Sequence, residues 1–385
     1  VTTTKAPRGP LAGLRVVEIA AQGPGPFAAM MLADLGADVV RVDRPSASGG
    51  PGQAAVDVVG RGRRSIVLDL KDPRGVDVLL RLADTRDILI EGFRPGVAER
   101  LGFGPEVCLR RRPTLVYGRA TGWGQRGPKA SLAGHDANYI ATTGALHAIG
   151  VEAGPPVLPL NLVGDYGGGG MLLALGVMCA LWAASRSGRG QVVDAAMVDG
   201  SALLMAQMYS MLATGSWSVT RGVNILDSGA HFYNVYQTAD GEHVAVAAIE
   251  APFYRRLLDA LGLDPADLPA QHDQSQWPRM KALFAERFAE HTRDHWCALL
   301  EDTDACFAPV LSMAEAPQYP HHRDRDTFIK VDGVVQPAPA PRFSHTPTAF
   351  PEPAPTPGLH TADILTELGL DAGAADELRR DGVVA

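Results

Sequence analysis

Apolar positions run in unbroken blocks through the first third of the chain. LRVVEIA (14–20) predicts a buried strand. PFAAMMLADLGA (26–37) predicts a helix, with Pro26 suited to its first turn and Gly36 near its end. DVVRVD (38–43) predicts the next strand, so the three form a βαβ unit closed by a Gly-Pro-Gly turn. SIVLDL (65–70), a helix near 73–83, DILIEGF (87–93) and TLVYGRATG (114–122) continue the alternation. A doubly wound parallel sheet over residues 10–125 is the expected result. Farther on, Gly167 to Gly170 lead into an apolar helix near 171–185, expected to be buried on all sides; QVVDAAM (191–197) predicts a strand and residues 199–214 a helix.

The texture then changes. AHFYNVYQTADGEHVAVAAI (230–249) alternates as a β-hairpin turning at Ala239-Asp240-Gly241, and helices near 252–262 and 276–300 follow. Residues 335–358 are Pro-rich, which predicts an extended wrap along a surface, and Thr361 can cap a last helix, ADILTELGL. The expected organisation is α/β. A large Rossmann-like domain spans 1–195 and is completed by 335–385; 196–227 is a linker helix, 228–315 a small α+β domain and 316–334 a return linker.

Composition narrows the function. Of 385 residues, 46% are hydrophobic and 20% charged, which fits a globular protein. A net charge of -8 argues against a general nucleic-acid binder, but residues 1–130 carry 20 Lys and Arg against 13 Asp and Glu, a balance that suits a small polyanionic ligand. Cys108, Cys179, Cys297 and Cys306 are scattered without metal-ligand spacing, which predicts no metal and a reduced, cytoplasmic setting. VTTTKAPRGP at the start has no apolar signal core, and Met171 to Ala184, at about 14 residues, is too short to span a bilayer.

AQGPGPFAA (21–29) partly matches a dinucleotide fingerprint at Gly23, Gly25 and Ala28, with Asp43 placed as a ribose acid. Pro24 and Pro26, however, remove two backbone N–H groups that should cradle a pyrophosphate. Arg44, Arg61, Arg63, Arg64, Lys71, Arg94 and Arg100 fall near strand ends. Any one reads as part of a solvated face; as a group they suit phosphate oxygens.

His135 can act as a general acid or base, although a loop histidine is more often inert. Asp165 reads as an N-cap carboxylate, or as marking a glycine-lined helix start whose free amides stabilise an oxyanion. Glu250 reads as an exposed strand-end acid. Met205, Met208 and Met211 put three sulfurs at three-residue spacing on one expected helix, with Met197 just before it, as core or as a pliable apolar surface.

The segments LAGLRVVEIAAQGPGPFAAMMLADLGADVVRVDRP, EGFRPGVAERLGFGP, TGWGQRGP, AGHDANYI, LPLNLVGDYGGGG, GQVVDAAMVDGSALL, AIEAPFY and PAPAPRFSHTP resemble, in order, the α-methylacyl-CoA racemases of the class III CoA-transferase superfamily. The resemblance implies an isomerase in which His135 and Asp165 are the two acid/bases, with Asn161 as the hydrogen-bond partner of Asp165 and Glu250 orienting the imidazole. Coenzyme A, part of the substrate and not a separate cofactor, would be held by Arg44, the stretch Leu68, Asp69, Leu70 and Lys71, the turn Gly92, Phe93 and Arg94, and Arg100. Gly134, Asp136, Ala137, Asn138 and Tyr139 would border the thioester, and Met197, Met205, Met208 and Tyr233 the acyl chain. An interlocked homodimer is also implied, with Glu250 supplied by the other subunit. Residues 46–60 do not follow the pattern.

Inverting the α-carbon of a 2-methylacyl-CoA thioester requires proton removal on one face and delivery on the other, so two acid/bases of different type fit the task. The rival from the same superfamily is a CoA-transferase with Asp165 as nucleophile. A non-catalytic acyl-CoA binder would keep the basic cluster and need none of His135, Asp165 or Glu250.

Overall fold

The computed structural model describes residues 8–45 and 56–385; the segments 1–7 and 46–55, the latter most of the stretch that departs from the family pattern, lie outside the described residues. Six parallel strands form the central sheet: β1 (Arg15–Ile19), β2 (Asp38–Asp43), β3 (Arg63–Val67), β4 (Ile88–Glu91), β5 (Val116–Thr121) and β6 (Val192–Ala196), in the order β3-β2-β1-β4-β5-β6. This is the expected doubly wound sheet. The strands read as continuous apolar runs because both faces are covered. Val16, Val39, Ile88 and Val116 pack with Leu32, Leu173 and Val177 on one face. Val17, Val40, Leu89 and Tyr117 pack with Leu79, Ile364 and Leu378 on the other.

Strand order reverses between β1 and β4. In sheets of this kind the crevice at the carboxyl ends of those two strands is the place where ligands bind. The turns that leave β1 (Ala20–Gly23) and β4 (Gly92–Arg94) therefore define where a site should lie.

Two compact units divide the chain: Val1–Thr143, Leu160–Leu204 and Arg323–Ala385 form one, Gly144–Pro159 and Met205–His322 the other. The second unit holds the predicted hairpin, β7 (Tyr233–Gln237) and β8 (His243–Ala247), extended by a short strand, β9 (Phe307–Pro309). Its core is aromatic, with Phe232, Trp277, Phe284, Phe288 and Trp296 buried together.

Several boundaries differ from expectation. Residues 144–159 belong with the second unit, and the return begins at Arg323. The expected linker 316–334 contains a helix, Pro320–Asp324, and most of a second hairpin, β10 (Phe328–Val331) with β11 (Val334–Pro337). The helix expected over 199–214 is two helices, Met197–Leu204 and Ala206–Ala213, broken at Met205 and divided between the units. Thr361 is not the cap of its helix: His360 holds that position, and the Thr361 hydroxyl donates to the Ala385 carbonyl at 2.6 Å. A further helix, Ala372–Arg380, follows, with Asp371 accepting the Ala374 N–H at 2.9 Å.

The apolar helix is longer and less enclosed than predicted. The glycine run is itself helical, so a π-helical segment, Leu162–Met171, continues directly into the α-helix Leu172–Ser187. By length and composition alone the joined helix could cross a membrane, the one such helix among the described residues. Its inner face instead packs on β5, where Gly118 leaves room for Leu173 and Val177, while Leu175 and Trp182 face outward.

Candidate active site

The π-helical segment Leu162–Met171 positions Asp165, and glycine makes that placement possible. A Cβ on Gly168 would lie 2.7 Å from the Ser201 amide, one on Gly169 would lie 2.8 Å from the Pro24 ring, and one on Gly170 would lie 2.7 Å from the Phe27 ring. The glycines thus pack the segment against the helix Pro24–Asp34 and the helix Met197–Leu204. Tyr166 stacks on Phe27 at 4.5 Å and locks the same contact.

Asp165 consequently sits at the switch point. Its carboxylate lies 3.1 Å from the position a Cβ would take on Gly23, in the turn that leaves β1. Asn161 Nδ2 donates to Asp165 Oδ2 at 3.0 Å, the partnership the resemblance implied. The Asp165 amide is not a free helix-start donor. It donates to Asp136 Oδ1 at 2.7 Å, and Tyr166 N bonds back to Asn161 O at 3.3 Å in the i→i+5 pattern of a π-helix. The Asp165 amide is therefore not available for the oxyanion role expected of it, because Asp136 already takes its hydrogen.

The same hydrogen bond brings the histidine in. His135 precedes the helix Asp136–Ala141 and is exposed; Asn138 Oδ1 accepts the His135 N–H at 3.0 Å and holds the backbone there. Asp136 is buried, and its Oδ2 has no partner. Burial pushes the Asp136 carboxyl above its usual range; the neighbouring Asp165 charge adds to the rise, and hydrogen bonds from the Asp165 and Gly164 backbones oppose it. Tyr139 closes the turn: its hydroxyl donates to the Gly134 carbonyl, and its ring meets Trp123 edge-on at 4.9 Å. Burial first, then the Asp165 charge, raise the Tyr139 phenol, while Arg94 opposes them. Asp165, Tyr139 and Arg94 therefore share one electrostatic neighbourhood.

The basic cluster separates into two groups. Arg61 is buried against Asp34 at 2.5 Å and donates to Gln336 Oε1 at 2.7 Å; Arg63 is buried against Glu18 at 2.6 Å; Arg64 pairs with Asp38 at 2.9 Å and Glu367 at 2.6 Å. These three are structural, which corrects their inclusion among the phosphate candidates. Arg44, Lys71, Arg94 and Arg100 are exposed and have no ion partner among the described residues. Leu68 offers its backbone alone. Its side chain is in the core, and the stretch Leu68–Leu70 is pinned by the chain end, with Leu68 bridging Val384 and the Asp69 N–H donating to the Val383 carbonyl at 2.8 Å. Lys71 is the residue this turn presents.

Asp43 is buried, and its Oδ2 accepts from Ser65 Oγ at 2.6 Å and from Arg41 Nε at 3.0 Å, which ties it into the sheet. Met197 is buried against Gly169 in the first unit, whereas Met205, Met208 and Tyr233 belong to the second, with Met205 capping the helix Ala206–Ala213 that carries Met208 and Met211. Glu250 also lies in the second unit, exposed at the start of the helix Ala251–Ala260, with its carboxylate making no cap hydrogen bond.

Sequence reasoning passed over Glu91 and Arg119. They stand opposite one another in the β4–β5 register and are both buried. The available signal was an acid in ILIE and a base in VYGRAT, each inside an otherwise apolar strand.

The profile described as CoA-transferase family III matches residues 11–361. The chain belongs to that family. Among its members, the alpha-methylacyl-CoA racemase of Mus musculus is 46% identical over 378 residues, covering 97% of each chain, and that of Homo sapiens is 46% identical over 377 residues with the same coverage. The acetyl-CoA:oxalate CoA-transferase of Acetobacter aceti is 29% identical over 380 residues, 94% of this chain and 95% of that one. The crystal structure of a CAIB/BAIF family protein from Brucella suis superposes with a TM-score of 0.82 at 26% identity, covering 94% of this chain and all of that one.

Proposed function

We propose that this family member is an α-methylacyl-CoA racemase, interconverting (R)- and (S)-2-methylacyl-CoA by 1,1-proton transfer through an enolate. The observation that carries the reading is the Asp136–Asp165 hydrogen bond at the switch point, which joins the segment bearing His135 to the backbone amide of Asp165. The 46% identity to two racemases over 97% of the chain supports it.

In this reading one carrier removes the α-proton, the C–H electron pair passes to the thioester oxygen, and the other carrier delivers a proton to the opposite face. His135 and Asp165 are these carriers, and losing either should cost roughly 10²–10⁴ in rate. Asn161 orients Asp165 through its 3.0 Å hydrogen bond. Arg44, Lys71, Arg94 and Arg100 bind the phosphates of coenzyme A, which is part of the substrate, and no further cofactor takes part.

Glu250 orients His135 from the partner subunit of an interlocked homodimer. Support for the dimer comes from large apolar side chains left exposed on the chain, among them Leu175, Trp182, Leu203 and Tyr209. Four free cysteines fit a cytoplasmic setting.

The test is incubation of a single enantiomer of a 2-methylacyl-CoA in deuterated water. The reading expects α-deuterium and inverted product with no acceptor acid present. Strict dependence on an acceptor acid would instead favour the transferase reading, in which Asp165 attacks the thioester; the family profile and the 29% identity to a CoA-transferase are what keep that alternative open.

A further inference from the structure

Asp136 holds both ends of the arrangement described above. Its backbone continues directly from His135, and its side chain reaches 29 residues along the sequence to take the Asp165 N–H at 2.7 Å. The fit leaves no slack on the Gly164 side, where a Cβ would lie 2.4 Å from Asp136 Oδ1. Only 7% of the residue is exposed, and its second oxygen is buried without a hydrogen-bond partner. A solvated acid in a first helical turn would need none of this. A buried polar atom without a partner is a cost that calls for an explanation.

We infer that Asp136 is the positioning residue that fixes the spacing of the two proton carriers, through the Asp165 amide on one side and the His135 backbone on the other. The inference rests on the racemase reading and specifies a part of that site. Asp136 touches neither the α-carbon nor the moving proton in this role. What it sets is whether the enolate, once formed at one carrier, lies within reach of the other. Displacements near 1 Å in such arrangements cost about 10² in rate.

This role predicts a kinetic signature that loss of fold does not produce. With the tether cut, His135 still breaks the α-C–H bond of the enantiomer that faces it. The electron pair goes to the thioester oxygen, the proton stays on the imidazole, and solvent deuterium replaces it before return to the same face. Exchange then continues with retention, while inversion fails for want of the opposite carrier.

The experiment follows deuterium incorporation and inversion separately, from each pure enantiomer of one 2-methylacyl-CoA, in the full-length enzyme and in Asp136→Ala and Asp136→Asn. The expected result for Asp136→Ala is an exchange-to-inversion ratio raised about tenfold or more for one enantiomer only, with KM within about threefold of the parent. Asp136→Asn, which keeps the Oδ1 acceptor, should recover part of the ratio. Gly164→Ala, which drives a methyl group against Asp136 Oδ1 while leaving Asp136 itself in place, should reproduce the Ala signature if the Asp136 variants fold poorly. Exchange and inversion falling in parallel for both enantiomers, or a parental ratio in every variant, would overturn the assignment. A parent enzyme that neither exchanges nor inverts without an acceptor acid would overturn the racemase reading beneath it, a result separable from the first because it needs no variant.

Discussion

Arg119 Nε donates to Glu91 Oε1 at 2.9 Å between two adjacent parallel strands, with the carboxylate wholly withdrawn from water. Glu91 Oε2 accepts the Phe93 N–H at 2.6 Å, and Arg119 Nη1 reaches Glu99 Oε1 at 2.9 Å. Burial pushes the Glu91 carboxyl up; the Phe93 amide and Arg119 act against that rise. One ion pair therefore anchors the turn bearing Arg94 and the short helix Val97–Leu101 bearing Arg100. Arg119→Met should strand the Glu91 charge and destabilise the fold by about 3–5 kcal/mol. In enzyme that remains folded, KM for an acyl-CoA should rise about tenfold with kcat little changed. The check is urea unfolding alongside kinetics on the CoA ester and on a truncated pantetheine thioester, for which KM should not move.

Asn161 bonds Asp165 directly, so its loss should affect turnover and leave the grip on coenzyme A alone. Asn161→Ala is expected to lower kcat roughly tenfold at unchanged KM. Asn161→Asp, which sets a like charge beside Asp165, should lower it further. Steady-state inversion rates of the two variants decide the matter.

Backbone contact at the π-helical segment predicts a sharp contrast between two glycines. A Cβ on Gly200 would lie 1.9 Å from the Gly168 carbonyl oxygen, and neither backbone can yield without moving its helix. Gly200→Ala should cost about 3 kcal/mol or more. Gly25→Ala places its methyl group 3.8 Å from Ile90, an ordinary contact, and should leave the melting temperature nearly unchanged. Thermal unfolding of both variants is the measurement.

His231 makes the second unit acid-sensitive. It is buried, its Nε2 lies 2.8 Å from the Tyr254 hydroxyl, and its Nδ1 has no partner. Burial, helped by the nearby His272, lowers its pKa to about 4 from 6.5. Because the folded pKa is depressed, the unfolded chain binds the proton first. Its contribution to stability is complete above the unfolded value and is lost as pH falls from about 6.5 towards 4. The loss should reach about 2 kcal/mol by about pH 5. Denaturant unfolding across pH 7.5 to 4.5 should show that slope, and His231→Gln should flatten it.

How much of this could be read from sequence depended on burial. The strands β1 to β5 were legible because cover on both faces writes continuous apolar runs, as in RVVEI and ILIE. β9 and the β10–β11 hairpin were not, since they are three or four residues long and only partly buried, with pairing set by their neighbours. The run Gly167–Gly170 looked like a helix opening because glycine is a poor helix former. Contacts with Pro24, Phe27 and Ser201 override that propensity. Arg61 and Arg63 looked like ligand-binding cations because Asp34 and Glu18 lie 27 and 45 residues away, beyond any local pattern. His135, Asn161 and Asp165 were named from their motifs, but the bond through Asp136 that joins them needed coordinates.

The i→i+5 winding of Leu162–Met171 makes the direction of one carboxylate depend on residue count. A wide turn of this kind holds one residue more than an α-helical turn. Excising a single glycine downstream of Asp165 would let the coil tighten to ordinary pitch, and the acid would swing about 100° around the axis, away from the turn after β1. A one-codon deletion could thus leave every functional group in the chain and still aim one of them at the wrong wall.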